Sequence, residues 1–158
     1  MMPMRRRQQA FTLVEILIVV IILGILATIV IGVFANASSD TSSKALKDDL
    51  RTMRSQIQFY VAQHGSTPPA ATFEQQMTLY SDAAGNTSTT RDTAHPLGPY
   101  ILDLPHMPAG AEKGKSTVTT GTTYVPGFAW RYDQTTGKFV ANLPDTDKDG
   151  DGVVMNTY

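Results

Sequence analysis

Four aspartates near the end of the sequence follow a pattern that is typical of cation-binding loops. They are Asp145, Asp147, Asp149 and Asp151, with Gly150 at the sixth position of the loop. Alternate carboxylates on a tightly turned backbone can converge on a hard cation such as Ca²⁺, and glycine permits the turn. Because neighbouring carboxylates repel one another without a cation, we expect these four side chains to bind calcium.

The loop does not match a complete EF-hand. Its twelfth position is Asn156, where an EF-hand has a glutamate that binds calcium through both oxygens. The alternative interpretation is an acidic segment that is simply solvated.

The remaining polar residues give no sign of catalysis. The sequence has no cysteine and lacks the GxSxG, GxGxxG, P-loop and HExxH motifs. His64, His95 and His106 have no metal-ligand partner at a short helical spacing, so we interpret them as surface or capping residues. The formal net charge of −1 gives no basic surface for nucleic acid. The sequence therefore predicts a protein that is neither an enzyme nor a nucleic-acid binder.

Glu15 is the one charged residue between Arg7 and Asp40, and it lies near the start of an apolar segment, residues 11–35. At ~1.5 Å per residue, a helix of this length spans the ~30 Å hydrocarbon core of a bilayer. The arginines at positions 5–7 favour a cytoplasmic N-terminus and an exported remainder. A carboxylate within a span costs about 2.5–3.5 kcal/mol on insertion scales, so such a residue usually marks a function or a partner.

The string from Arg5 to Glu15 reads RRRQQAFTLVE. It resembles the leader of type IV prepilins and type II secretion pseudopilins, although those proteins nearly always have glycine at the position of Ala10. The resemblance implies that prepilin peptidase cuts between Ala10 and Phe11 and methylates the new amine of Phe11. It also implies that Glu15 meets this amine when subunits assemble into a filament.

Beyond the apolar segment the pattern predicts first a helix and then strands. Apolar residues recur at helical spacing at Leu46, Leu50, Met53, Ile57 and Tyr60 or Val61. The resemblance implies that this helix continues from the apolar segment, so that one helix runs from Phe11 to about His64, with a membrane-spanning first half and an amphipathic second half. A short helix is expected around residues 73–79, a polar loop over 81–95, and strands over 116–125, 127–133 and 138–142. The alternation of Phe128, Trp130 and Tyr132 predicts an aromatic face that covers the amphipathic helix.

These patterns predict an α+β protein in which a long N-terminal helix packs on a small antiparallel β-sheet, as in pilins. We expect a leader over residues 1–10, a transmembrane or filament-core helix over 11–35 and an exported domain over 36–158. The resemblance implies a single-pass inner-membrane protein with a cytoplasmic N-terminus and a periplasmic domain. It also implies a calcium site in the C-terminal loop, as in the major pseudopilins of type II secretion.

The function implied by the resemblance is that of a structural subunit of a type II secretion pseudopilus, which supports protein export. Its partners would be copies of itself, prepilin peptidase, the membrane, and an assembly machinery that includes minor pseudopilins. A type IV pilin for adhesion, motility or DNA uptake is the first alternative. A secreted calcium-binding domain is the second, because Ala35-Asn36-Ala37 offers an ordinary signal-peptidase site before Ser38. The apolar region is, however, longer than the ~7–15 residues of ordinary signal peptides.

Overall fold

The computed structural model describes residues 12–158, except for the side chains of residues 32–37. The chain divides into two compact units between Ser38 and Ser39. The elements in chain order are α1 (Leu13–His64), a 3₁₀ turn (Ala70–Thr72), α2 (Phe73–Thr78), β1 (Tyr80–Ser81), β2 (Thr87–Ser88), β3 (Val118–Thr120), β4 (Trp130–Asp133), β5 (Lys138–Ala141) and a second 3₁₀ turn (Met155–Thr157). The predicted α+β class is confirmed.

The helix α1 runs for 52 residues without interruption. This confirms the expected long helix over the described residues, while Phe11 lies outside them. The helix ends where Gly65 takes a φ of 73°, and the Gly65 N–H donates to the carbonyl of Val61 over 2.8 Å. Glycine reaches this left-handed conformation at little steric cost, which is why it commonly follows the last turn of a helix.

The second unit, residues 39–158, has one hydrophobic core between α1 and the strands. The side chains that α1 contributes are those expected from the helical spacing, each at most 2% exposed: Leu46, Leu50, Met53, Ile57 and Tyr60. Trp130 and Tyr132 from β4 and Phe139 from β5 are fully buried against them. Phe128 is half-buried. The core therefore confirms that the aromatic face of β4 covers the amphipathic half of α1.

The main sheet has the strand order β3-β4-β5. The strands β4 and β5 pair antiparallel, as expected, but β3 and β4 pair parallel. A loop over residues 121–129 returns the chain so that β4 runs in the same direction as β3. The fully buried amide of Asn142 holds this loop, because it donates to the carbonyls of Val125 and Phe128 over 2.7 and 2.6 Å and accepts the Val125 N–H over 3.0 Å.

A second, two-stranded antiparallel sheet joins β1 and β2. The prediction of a simple loop over residues 81–95 is therefore wrong at this point. The turn is closed by Asp82, whose Oδ1 accepts the N–H groups of Ala84 and Asn86 over 2.9 and 2.8 Å. Asx turns of this kind place a polar segment in a hairpin without any apolar alternation.

Candidate functional site

The first part of α1 is the most apolar surface that the structure describes. Leu13–Ile31 has a mean hydropathy of 3.2 over 19 residues, and it is the one helix among the described residues that is long and apolar enough to cross a membrane. None of this segment is buried within the chain. Its large side chains, from Leu13 to Ile31, are between 48% and 83% exposed. A helix that is apolar on all sides needs lipid or other helices around it.

Thr28 is a polar residue within this apolar surface, and its hydroxyl is satisfied within the helix. The hydroxyl donates to the carbonyls of Ile25 and Gly24 over 2.7 and 3.3 Å. Such local bonding removes the need for an outside partner. Glu15 is therefore the group in this segment whose charge has still to be compensated.

Glu15 lies in the first turn of α1, and its side chain is exposed. Its backbone N–H donates to the hydroxyl of Thr12 over 3.2 Å and to the Thr12 carbonyl over 3.1 Å. Thr12 thus caps the helix, and a carboxylate three residues later is favourable beside the positive end of the helix dipole. The sequence reasoning missed this cap, although the T-x-x-E spacing signals it. Ala10 and Phe11 lie outside the described residues, so the cleavage site and the pairing of Glu15 with the Phe11 amine stay predictions.

The acidic loop, residues 145–152, places its carboxylates against separate hydrogen-bond donors. Asp145 Oδ1 accepts the side-chain amide of Asn156 over 2.8 Å. Asp147 Oδ2 accepts the backbone N–H of Ala111 over 2.6 Å. The side chain of Asp151 is exposed. These contacts fix the loop to the chain on both sides of it.

Asp149 is nearly enclosed, with a side chain that is 4% exposed. Its Oδ1 accepts the backbone N–H groups of Asp151 and Val153 over 3.0 and 2.8 Å. Its Oδ2 accepts the Tyr158 hydroxyl and lies 3.6 Å from the Lys47 ammonium. The hydrogen bonds from Tyr158 and Val153 hold the pKa of Asp149 below its usual range.

The four aspartates do not converge on a common point. Within residues 12–158, no group of three or more histidine, aspartate or glutamate side chains is arranged to hold a metal ion. Three of the four carboxylates already accept N–H or O–H donors, so this donor set does not fit a calcium ion as it stands. The predicted binding of calcium by these aspartates stays a prediction.

Residues 5–31 match the family described as the prokaryotic N-terminal methylation motif. The sequence is 34% identical over 110 residues to the type II secretion system core protein G of Dickeya chrysanthemi, a match that covers 69% of this chain and 68% of the relative. The chain belongs to the type II secretion system core protein G family.

Two further core protein G relatives support this assignment. The Klebsiella pneumoniae protein is 29% identical over 68% of this chain and 73% of its own length. The Aeromonas hydrophila protein is 30% identical over 67% of this chain and 71% of its own length. No solved structure gives a significant match. The matched methylation motif includes Ala10, Phe11, Thr12 and Glu15, so the predicted processing and assembly residues of this core protein G family member all lie within it.

Proposed function

We propose that this chain is a structural subunit of a type II secretion pseudopilus that assembles through the apolar part of α1. The observation that carries the proposal is the exposure of Leu13–Ile31, none of which is buried within the chain. About 25 cal/mol is gained for each Å² of apolar surface removed from water, so this helix is stable only in lipid or among other such helices. The core protein G relatives make neighbouring subunits the expected partners.

Glu15 gives the assembly its register. An unpaired carboxylate in an apolar environment is costly, whereas one that meets an ammonium is compensated. Mature subunits that begin at Phe11 would each carry a positive amine four residues before Glu15. Pairing of the Glu15 carboxylate with the Phe11 amine of a neighbouring subunit would remove both uncompensated charges at once.

We further propose a topology and a processing route. Arginines 5–7 retain the N-terminus in the cytoplasm, residues 11–35 anchor the chain in the inner membrane, and residues 36–158 lie on the periplasmic side. Prepilin peptidase would remove residues 1–10 before assembly. The domain then has a structural role rather than an enzymatic one, with minor pseudopilins and the secretion machinery as further partners.

The two alternatives are less well supported. The relatives carry the name of a type II secretion component, which favours that system over a type IV pilus. The match to the methylation motif favours a prepilin over a secreted domain with an ordinary signal peptide. Amino-terminal sequencing of the mature chain distinguishes a prepilin from a secreted domain, because a processed prepilin begins at Phe11 and a signal-peptidase product begins at Ser38.

Glu15→Ala tests the proposed function. In cells with the complete secretion system, we expect this variant to enter the membrane normally. It should be absent from filaments that are sheared from the cells or observed by electron microscopy. Glu15→Gln is expected to behave in the same way, since it retains the shape of the side chain and loses its charge. Glu74→Ala removes an exposed acid from the first turn of α2 and provides the matched control, for which we expect normal filaments.

Membrane insertion is measured by resistance to alkaline extraction, and assembly by the yield of filaments. Normal filaments from Glu15→Ala would refute the role given to the carboxylate. If neither the variants nor the unchanged chain form filaments, assembly into a pseudopilus would instead be refuted.

A further inference from the structure

The segment after the acidic loop, residues 153–158, is attached to α1 by two basic side chains. Lys47 and Arg54 are seven residues apart, so they lie two turns apart on one side of the helix. The Arg54 guanidinium donates to the main-chain oxygen of Tyr158 and, over 3.0 Å, to the carbonyl of Phe139 in β5. One side chain of α1 therefore ties Tyr158 to the main sheet.

Lys47 contacts the same segment at a second point. Its ammonium lies 4.2 Å from the centre of the Tyr158 ring and 3.6 Å from Asp149 Oδ2, and the Tyr158 hydroxyl donates to that same oxygen. The three groups form a closed set in which the cation faces both an aromatic ring and a carboxylate. A cation above the face of a tyrosine ring within ~6 Å is attracted to it.

The loop needs a positive charge at this place. Asp149 is nearly enclosed, and Asp40 of α1 brings a further carboxylate against the loop: a Cβ added at Gly150 would lie 2.5 Å from Asp40 Oδ1. Removing a cation from beside an enclosed carboxylate costs stability. The donors that surround Asp149 are N–H, O–H and ammonium groups, which use the oxygens that a metal ion would need.

We propose that Lys47 supplies this positive charge, so that the acidic loop keeps its folded form without calcium. The lysine then has the role that the Asp-rich pattern suggested for a metal ion. The proposal concerns the stability of the loop and is independent of the function proposed above.

The experiment uses the full chain in detergent micelles, with thermal unfolding and amide hydrogen exchange measured in excess calcium and in excess EDTA. Lys47→Met retains most of the side-chain length and removes the charge, whereas Lys47→Arg retains the charge. The matched control is Lys44→Met, which neutralises an exposed lysine one turn earlier on α1. Hydrogen exchange is measured at Asp151 and Val153, whose N–H groups donate to Asp149.

For the unchanged chain we expect the same melting temperature and the same exchange in calcium and in EDTA. Lys47→Met should lower the melting temperature by about 1–4 °C, the size of effect expected for a partly exposed ion pair, and should speed exchange at the two amides several-fold. Lys47→Arg and Lys44→Met should match the unchanged chain. The proposal is overturned if calcium raises the melting temperature or slows exchange in the loop. It is equally overturned if Lys47→Met exchanges at these amides like Lys44→Met, whatever its melting temperature.

Discussion

Glu112 is a buried acid that joins two stretches of irregular chain, and its replacement should destabilise the domain. The residue is 3% exposed. Its carboxylate accepts the Lys115 ammonium over 2.6 Å, the Tyr124 hydroxyl over 2.6 Å and the Gly127 N–H over 3.3 Å. The bonds to Lys115 and Tyr124 hold the pKa of Glu112 below its ordinary value. This carboxylate thus fixes the loop that returns the chain from β3 to β4.

The expected cost of Glu112→Gln follows from these bonds. Glutamine keeps the size of the side chain and one acceptor oxygen, but it loses the charge and turns an NH₂ group toward another donor. A hydrogen bond to a charged group contributes about 1.5–3 kcal/mol. The Lys115 side chain is 45% exposed and can regain water, so the loss falls mainly on Tyr124 and Gly127. We expect the free energy of unfolding to fall by about 2–3 kcal/mol, which corresponds to a decrease in melting temperature of about 5–10 °C.

Trp130 provides the assay, because it is the single tryptophan of the chain and is fully buried. Its fluorescence reports unfolding of the domain in micelles. Glu74→Gln, at an exposed position in α2, is the control and should change stability only slightly. A group whose pKa is lowered by folding stabilises the fold above its unfolded pKa and loses that effect as the pH falls through the folded value. The difference in the free energy of unfolding between Glu112→Gln and the unchanged chain should therefore become smaller below about pH 4. Equal melting temperatures for Glu112→Gln and Glu74→Gln at neutral pH would refute the reasoning.

Two further predictions use the same fluorescence assay. Gly98→Ala should lower the free energy of unfolding by about 2–4 kcal/mol, and Gly114→Ala by only about 1 kcal/mol. Both glycines have a positive φ, but only at Gly98 does the added Cβ lie 2.7 Å from the carbonyl oxygen of Leu79. Equal losses for the two variants would contradict this steric explanation. Burial raises the pKa of Tyr132 to about 12. The protonated hydroxyl therefore contributes fully to the stability of the fold below pH ~10, and this contribution is lost as the pH rises from there towards 12. Tyr132→Phe should make unfolding less steeply dependent on pH across that range, and an unchanged slope would contradict the prediction.

The helices and the core could be predicted from the sequence because their signals are local and redundant. Five apolar residues of α1 repeat at helical spacing, and all five are buried where that spacing places them. The alternation in β4 likewise predicted that Trp130 and Tyr132 face the core. Each of these elements has a periodic face, and burial of that face decides the structure whatever the loops do.

The features that sequence reasoning missed depend on contacts between distant residues. The parallel pairing of β3 with β4 requires the 121–129 loop to be held by Asn142 and Glu112. Each of these lies between 12 and 17 residues along the chain from the loop residues that it contacts. A single acid in a turn rich in lysine and glycine is ordinarily solvated, so nothing in the local pattern marks Glu112 as buried. The hairpin of β1 and β2 has two residues in each strand, too few for an alternation to be detected.

The acidic loop shows why a short pattern predicts chemistry less securely than it predicts a turn. The alternation of aspartates determines how many acceptor oxygens the turn offers, but residues elsewhere in the chain determine which donors reach them. Asp147 receives the N–H of Ala111, which is 36 residues away, and Asp149 faces Lys47 on another element. A metal ion and a lysine ammonium answer the same electrostatic requirement, and the aspartate spacing alone does not distinguish them. The distinguishing information lies in α1, where residue 47 faces the loop. A substitution at that position should therefore change whether the loop needs another cation, without any change to the aspartates.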